Sequence, residues 1–161
     1  MCVPLLAEGE FALVRKYMEI AVGKTSVLTG EHDVYAMLVD SAAEQRDAAA
    51  LRQYAPLAEQ WAARYDHKLY LAIAHRAWGV AHFLAGQHAE AEARLKQALE
   101  IFEPLDTRWQ IGRTLLELGE LAIARTDHDA ARQHFSRALA AFELIGALAD
   151  ATRARDRLAA A

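Results

Sequence analysis

The sequence predicts an all-α fold, in which antiparallel helix-turn-helix units stack as a short right-handed α-solenoid of about eight helices. Three observations predict it. The chain is rich in Ala, Leu, Glu, Arg and Gln and holds only 3 Pro and 8 Gly, a composition that favours helix because these side chains lose little rotamer freedom there. It resembles itself at a shift of 40 residues, and a period of that order is the mark of stacked helical units. Each unit divides into two apolar-periodic stretches joined by a short polar break, the pattern of two helices and a tight turn.

The repeat rests on seven identities. Sliding 69–107 onto 109–147 places Gly79 on Gly119, His88 on His128, Ala91 on Ala131 and Ala98 on Ala138, then Leu99 on Leu139, Phe102 on Phe142 and Glu103 on Glu143. Ala91 and Ala98 lie seven apart, as do Ala131 and Ala138, so each pair returns to one helix face with Leu95 or Phe135 between. Small residues let two helix axes approach, and the large one fills the space between them. A weaker copy lies upstream at a shift of 41, where Ala50, Tyr54, Leu57 and Trp61 precede Ala91, Leu95, Ala98 and Phe102.

In chain order the expected helices are 5–22, 32–45, 47–64, 68–85, 88–103, 108–124, 128–145 and 148–160. Residues 5–22 read as a second helix without its first, an N-terminal half-unit. Residues 32–64 read as an irregular repeat, because Leu38 or Val39 stands where the unit should have Gly, and Pro56 would kink the helix by removing a backbone hydrogen bond. Units 68–105 and 108–145 are regular: AGQH at 85–88 and RTDH at 125–128 break their helices, Asp127 is an expected N-cap, and EPLDT at 103–107 closes the first of the two. In 148–160, Arg153, Arg155, Asp156 and Arg157 suit a polar helix that covers the last apolar face. Residues 1–161 are therefore expected to form one domain.

The runs GVAHFLAGQHAEAEARLKQALEIFEPL and GELAIARTDHDAARQHFSRALAAFELIG resemble tetratricopeptide repeats. That family marks its helix packing with a Gly in the first helix, an Ala early in the second, an aromatic or Leu four residues on and an Ala three further. Gly79, Ala91, Leu95 and Ala98 match, as do Gly119, Ala131, Phe135 and Ala138. The 40-residue spacing exceeds the usual 34 and resembles that of bacterial signalling regulators, such as the sensor arms of MalT-like ATP-dependent transcription activators. The family resemblance implies a protein-binding module with a concave groove; the narrower one implies a small-ligand-sensing arm.

Other chemistry finds little support in the sequence. The net charge of −4 supplies no broad cationic field for nucleic acid. Cys2 is the single cysteine, which leaves neither an internal disulfide nor a cysteine-based zinc site. His75 and His82 lie two turns apart, about 10 Å, too far to share one ion. No phosphate-cradling or nucleophile-elbow motif occurs. We therefore expect no enzyme activity, no metal and no cofactor. No apolar run is long enough to span a bilayer and no leader pattern opens the chain, so a cytoplasmic protein without membrane contact is expected. Trp61 and Trp78 fall on apolar stripes and are assigned to the core.

With Gly79 and Gly119 as inward markers, the side chains turned toward the groove are Arg76, Val80 and Phe83, then Arg113, Leu116, Glu120 and Ile123, with Tyr35 and Val39 as looser upstream equivalents. The expected partner is a protein or peptide bound there through apolar contacts, with a few charges fixing register. A structural homo-oligomer, such as a homodimer through the unpaired N-terminal helix, is the remaining alternative.

Overall fold

The structure, a computed structural model, describes residues 9–24 and 31–161. Cys2 and the start of the expected 5–22 helix, residues 5–8, lie outside them. Among the described residues there are eight helices and no strand: α1 Phe11–Lys24, α2 Glu31–Glu44, α3 Ala48–Arg64, α4 Lys68–Leu84, α5 His88–Phe102, α6 Arg108–Ala124, α7 His128–Leu144 and α8 Leu148–Ala160. Each boundary falls within a few residues of its expected place, apart from the start of α1. Helix α3 runs unbroken through Pro56. Pro56 and Arg52, whose carbonyl loses its helical partner, are both on the exposed side, where the oxygen is open to solvent and needs no protein donor.

The turns show why the period is 40. A residue with positive φ stands every twenty positions, at Arg46 (54°), Asp66 (49°), Gly86 (75°), Asp106 (50°), Thr126 (60°) and Gly146 (69°). After each, an extended residue donates its backbone N–H five residues back, as Asp47 does to Ala42 (2.9 Å), His67 to Ala62 (2.9 Å) and Asp127 to Ala122 (2.9 Å). This is the Schellman closure, which satisfies a carbonyl that the helix end would otherwise leave open. Because all six turns share it, successive helices enter at one phase. Asp127 caps α7 by accepting from the N–H of Ala130 (3.1 Å), and Asp47 caps α3 through Ala49 (3.0 Å) and Ala50 (2.9 Å).

The packing markers pack as the repeat pattern requires. Ala91, Leu95, Ala98, Ala131, Phe135 and Ala138 are all at most 1% exposed. A Cβ added at Gly79 would lie 2.6 Å from Leu95, one at Gly119 2.2 Å from the Phe135 ring, and one at Gly112 2.6 Å from Phe142. Only glycine admits the large side chain of the facing helix at these three positions.

The upstream unit obeys the same rule with the volumes exchanged. The turn at Asp66 sets its shift at 40 rather than 41, so Val39 and Ala55 take the places of Gly79 and Leu95. Both are 0% exposed; the bulk has moved from the second helix to the first. The fully enclosed face of α3 is therefore Leu51, Ala55, Ala58 and Ala62, whereas Leu57 and Trp61, placed on that face by the 41-residue shift, are only half-buried. Trp78 is half-buried as well, which corrects the core assignment of both tryptophans. The indole N–H of Trp78 donates to Glu59 (2.8 Å) beneath the Arg94 guanidinium, and Trp61 stacks between Tyr35 and Tyr65. An indole carries a polar edge, and a site at the core's margin lets it reach a partner.

Neighbours in sequence pack together along the whole chain. In addition the first helices of the pairs meet each other, α2 against α4 and α4 against α6, whereas the second helices α3, α5 and α7 make no comparable contact among themselves. First helices therefore crowd the inside of the curve and second helices fan out along the outside.

Candidate functional site

The inner face carries the candidate groove residues, and the structure sorts them by depth. Val80 (0% exposed), Arg76 (2%), Arg113 (3%) and Leu116 (5%) are buried, as is Val39. They hold the first helices together and, apart from Leu116, present no surface to a ligand. Tyr35, Phe83, Glu120 and Ile123 are half-buried. Phe83 lies under the Arg46 guanidinium and edge-on to His88. Glu120 accepts from Arg157 of α8 (2.8 Å). Sequence reasoning placed Arg76 and Arg113 on the right helices but took for surface what is a buried ion cluster.

That cluster is centred on Asp40 of α2. Arg76 of α4 donates through Nη2 to Asp40 Oδ1 and through Nη1 to the Gln110 carbonyl (3.3 Å). Arg113 of α6 donates through Nη1 to Asp40 Oδ2 (2.9 Å), and through Nη2 (2.8 Å) and Nε (3.0 Å) to Glu44 Oε1. Each guanidinium also covers an aromatic ring, Arg76 over Phe102 (5.6 Å) and Arg113 over Trp109 (4.5 Å). Arg153 of α8 completes the chain by donating to Glu44 Oε2 (2.9 Å). A planar fork with five donors can bridge two carboxylates in this way where an ammonium cannot.

Burial alone would raise the Asp40 carboxyl, but Arg113 and Arg76 outweigh it and hold Asp40 below the ordinary range. Burial likewise works against Glu44, and Arg113 with Arg153 still brings it down to about 2. Nearby, burial pushes Glu117 up, with the Glu44 charge adding to it and Arg46 opposing.

The signs decide the response to acid. Asp40 and Glu44 are depressed, so their stabilisation is complete above the ordinary carboxylate range and is lost as pH falls through about 4.5 toward 2. Glu117, being raised, acts oppositely: its protonated form favours the fold, so it offsets part of that loss. Burial also holds His75 and His134 below the ordinary imidazole value of 6.5, so the expected result is a melting temperature that begins to decline below that pH and declines further below about 4.5, where the decline is shallower in Glu44→Gln. Identical pH profiles for the two proteins would show that Glu44 is not held low.

Around the cluster lies a second ring of charge, of which the sequence reading placed Glu120 in the groove and Arg153 and Arg157 on the capping helix but did not single out Glu44 or Arg46. Arg46 donates to Glu117 (2.6 Å), and Glu44, Arg46, Leu116, Glu117, Glu120, Arg153 and Arg157 line a cavity of about 180 Å³ between the end of α2, α6 and α8. One signal for the cluster was available. Asp40 interrupts the apolar run MLVDSAA, Arg76 the run LAIAHRAWGVA and Arg113 the run IGRTLLELG. A charge inside an apolar stretch is enclosed only when it is paired. Among the described residues no group of three His, Cys, Asp or Glu side chains is arranged to hold a metal ion, and no helix is long and apolar enough to cross a membrane.

A family model described as tetratricopeptide repeat matches residues 70–144. No curated protein matches the chain. Among solved structures, the crystal structure of BtubC (BKLC) from P. vanneervenii is similar at a TM-score of 0.59 with 18% sequence identity, over 96% of this chain and 74% of that one. At that identity the likeness speaks for the fold. The matched span takes in α4 to α7, the two pairs in which Gly79 and Gly119 receive Leu95 and Phe135. Over residues 70–144, therefore, the chain matches the tetratricopeptide repeat family, and the all-helical fold of the described residues agrees with that match.

Proposed function

We propose that this chain is a non-catalytic protein-interaction module that receives a peptide or helix of a partner on the inner face formed by α2, α4, α6 and α8. The convergence of the first helices, with the second helices splayed outside, carries the reading. Repeats of this family mediate protein-protein contacts, and the curve gives a partner one continuous inner surface. The accessible part consists of Phe83 and Ile123, with Tyr35 toward the N-terminal side and Glu120 toward the C-terminal side. Apolar contacts would supply affinity and the charges would set register.

The test is recovery of partners from cells of the source organism by the wild-type chain and by Phe83→Ala and Glu120→Lys. These positions are half-buried and can change without removing an enclosed charge, whereas Arg76 cannot. Loss of the same partner in both variants, with melting temperature preserved, is expected. Equal recovery by all three proteins would move the binding surface elsewhere.

A second reading, the sensing of a small ligand, draws support from the partly open polar cavity between α2, α6 and α8.

A further inference from the structure

The cavity on the inner face is lined by equal numbers of arginines and glutamates, but they are not equally exposed. The carboxylates lie low, with Glu44 11%, Glu117 12% and Glu120 23% exposed at the side chain. The guanidiniums stand above them, with Arg46 39%, Arg153 43% and Arg157 56% exposed. What the cavity shows to an approaching molecule is therefore its cations.

Those cations are also unsaturated as donors. Each guanidinium has five N–H groups. Arg46 places one on Glu117 and Arg157 one on Glu120, while Arg153 places one on Glu44 and leans another toward Asp150 at 3.7 Å. All three arginines line the cavity, and a planar fork is suited to the paired oxygens of a carboxylate or phosphate. Cavity and deep cluster share Glu44, so together they hold five arginines, Arg46, Arg76, Arg113, Arg153 and Arg157, against four carboxylates, Asp40, Glu44, Glu117 and Glu120.

Size narrows the ligand. The cavity of about 180 Å³ has room for roughly six waters at ~30 Å³ each. A helix about 10 Å across does not enter it; a phosphate group or a small dicarboxylate does.

We infer that the cavity between α2, α6 and α8 is a binding site for a small doubly charged oxyanion, held by Arg46, Arg153 and Arg157. The anion bridges two segments: the turn after α2, through Arg46, and the last first helix α8, through Arg153 and Arg157. Helix α8 packs on α7, and its polar ties to α2 and α6 include the ion pairs of Arg153 and Arg157 and the hydrogen bond from the Trp109 indole N–H to Asp150 (2.8 Å). An anion shared by these arginines and Arg46 adds a further tie between α8 and the turn after α2. The inference rests on the small-ligand reading and is independent of the protein-partner one.

The experiment titrates inorganic phosphate and, separately, succinate into the full chain by calorimetry at fixed ionic strength, with chloride as the control anion. Saturable one-site binding of either anion is expected; which of the two binds distinguishes a phosphate-bearing ligand from a dicarboxylate. Arg46→Gln and Arg157→Gln should each weaken it about tenfold or more, the effect of losing one charged hydrogen bond. Arg137→Gln, on the outer side with Glu103, should leave it unchanged. Arg157 is the most exposed of the three, so its variant keeps the test open should Arg46→Gln fold poorly. Absence of saturable binding of both anions, or equal binding by wild type and Arg157→Gln, overturns the site. Partner recovery through Phe83 would be untouched by that outcome.

Discussion

Replacing Arg113 by Ala should cost about 3–5 kcal/mol of folding stability, the usual penalty for removing one partner from an enclosed ion cluster. The side chain is 3% exposed, makes three hydrogen bonds to Asp40 and Glu44, and covers Trp109. Its loss leaves Asp40 with Arg76 alone and Glu44 with Arg153 alone, in a space that water enters poorly. Arg113→Lys should recover only a fraction, because one ammonium does not span both carboxylates. Urea denaturation of Arg113→Ala, Glu44→Ala and the double variant provides the check. The double loss should fall short of the sum of the single ones by about 1–3 kcal/mol, since residues in one network couple. Additive losses would mean that the two side chains do not support each other.

Phe135→Ala should cost about as much, ~3–5 kcal/mol, for a different reason. The ring is 1% exposed and lies against Gly119, whose absent Cβ would sit 2.2 Å from it. Truncating the ring opens a cavity that two stiff helices cannot collapse to fill. Gly119→Ala alone should destabilise by about 1–2 kcal/mol: overpacking against an enclosed ring costs ~1–3 kcal/mol, and the gain in helix propensity of ~1 kcal/mol offsets only part. Combined with Phe135→Ala, the added methyl occupies some of the cavity and the overlap is gone, so the double variant should be more stable than Phe135→Ala. A double variant weaker than Phe135→Ala in chemical denaturation would contradict the close approach of α6 and α7.

The two variants separate what the sequence shows from what it hides. Gly119 and Phe135 belong to a pattern that repeats at Gly79 and Leu95, and a feature met twice at one spacing is visible without coordinates. The ion cluster has no such copy. Forty residues after Arg76 stands Leu116, and forty before Arg113 stands Ile73. Its members are Asp40 and Glu44 of α2, Arg76 of α4, Arg113 of α6 and Arg153 of α8, of which only Arg113 and Arg153 recur at the repeat spacing, so the repeat does not announce the cluster. The upstream unit was misregistered by one residue for a related reason: Val39 and Ala55 conserve the summed volume of Gly79 and Leu95 while reversing who supplies it, and a comparison by residue type sees two mismatches.

The sequence by itself determined the helices, their pairing and, for the two regular units, the phase at which pairs stack. Those properties depend on contacts between residues close in the chain, on side-chain period and on turns that recur every twenty residues. Tertiary structure decided which inward-facing charges are enclosed, which remain at the surface, and that Arg153 meets Glu44 across 109 positions of chain. Burial at the inner face depends on how far the stack curves. That curvature is the sum of small rotations over all the pairs, and no single repeat encodes it.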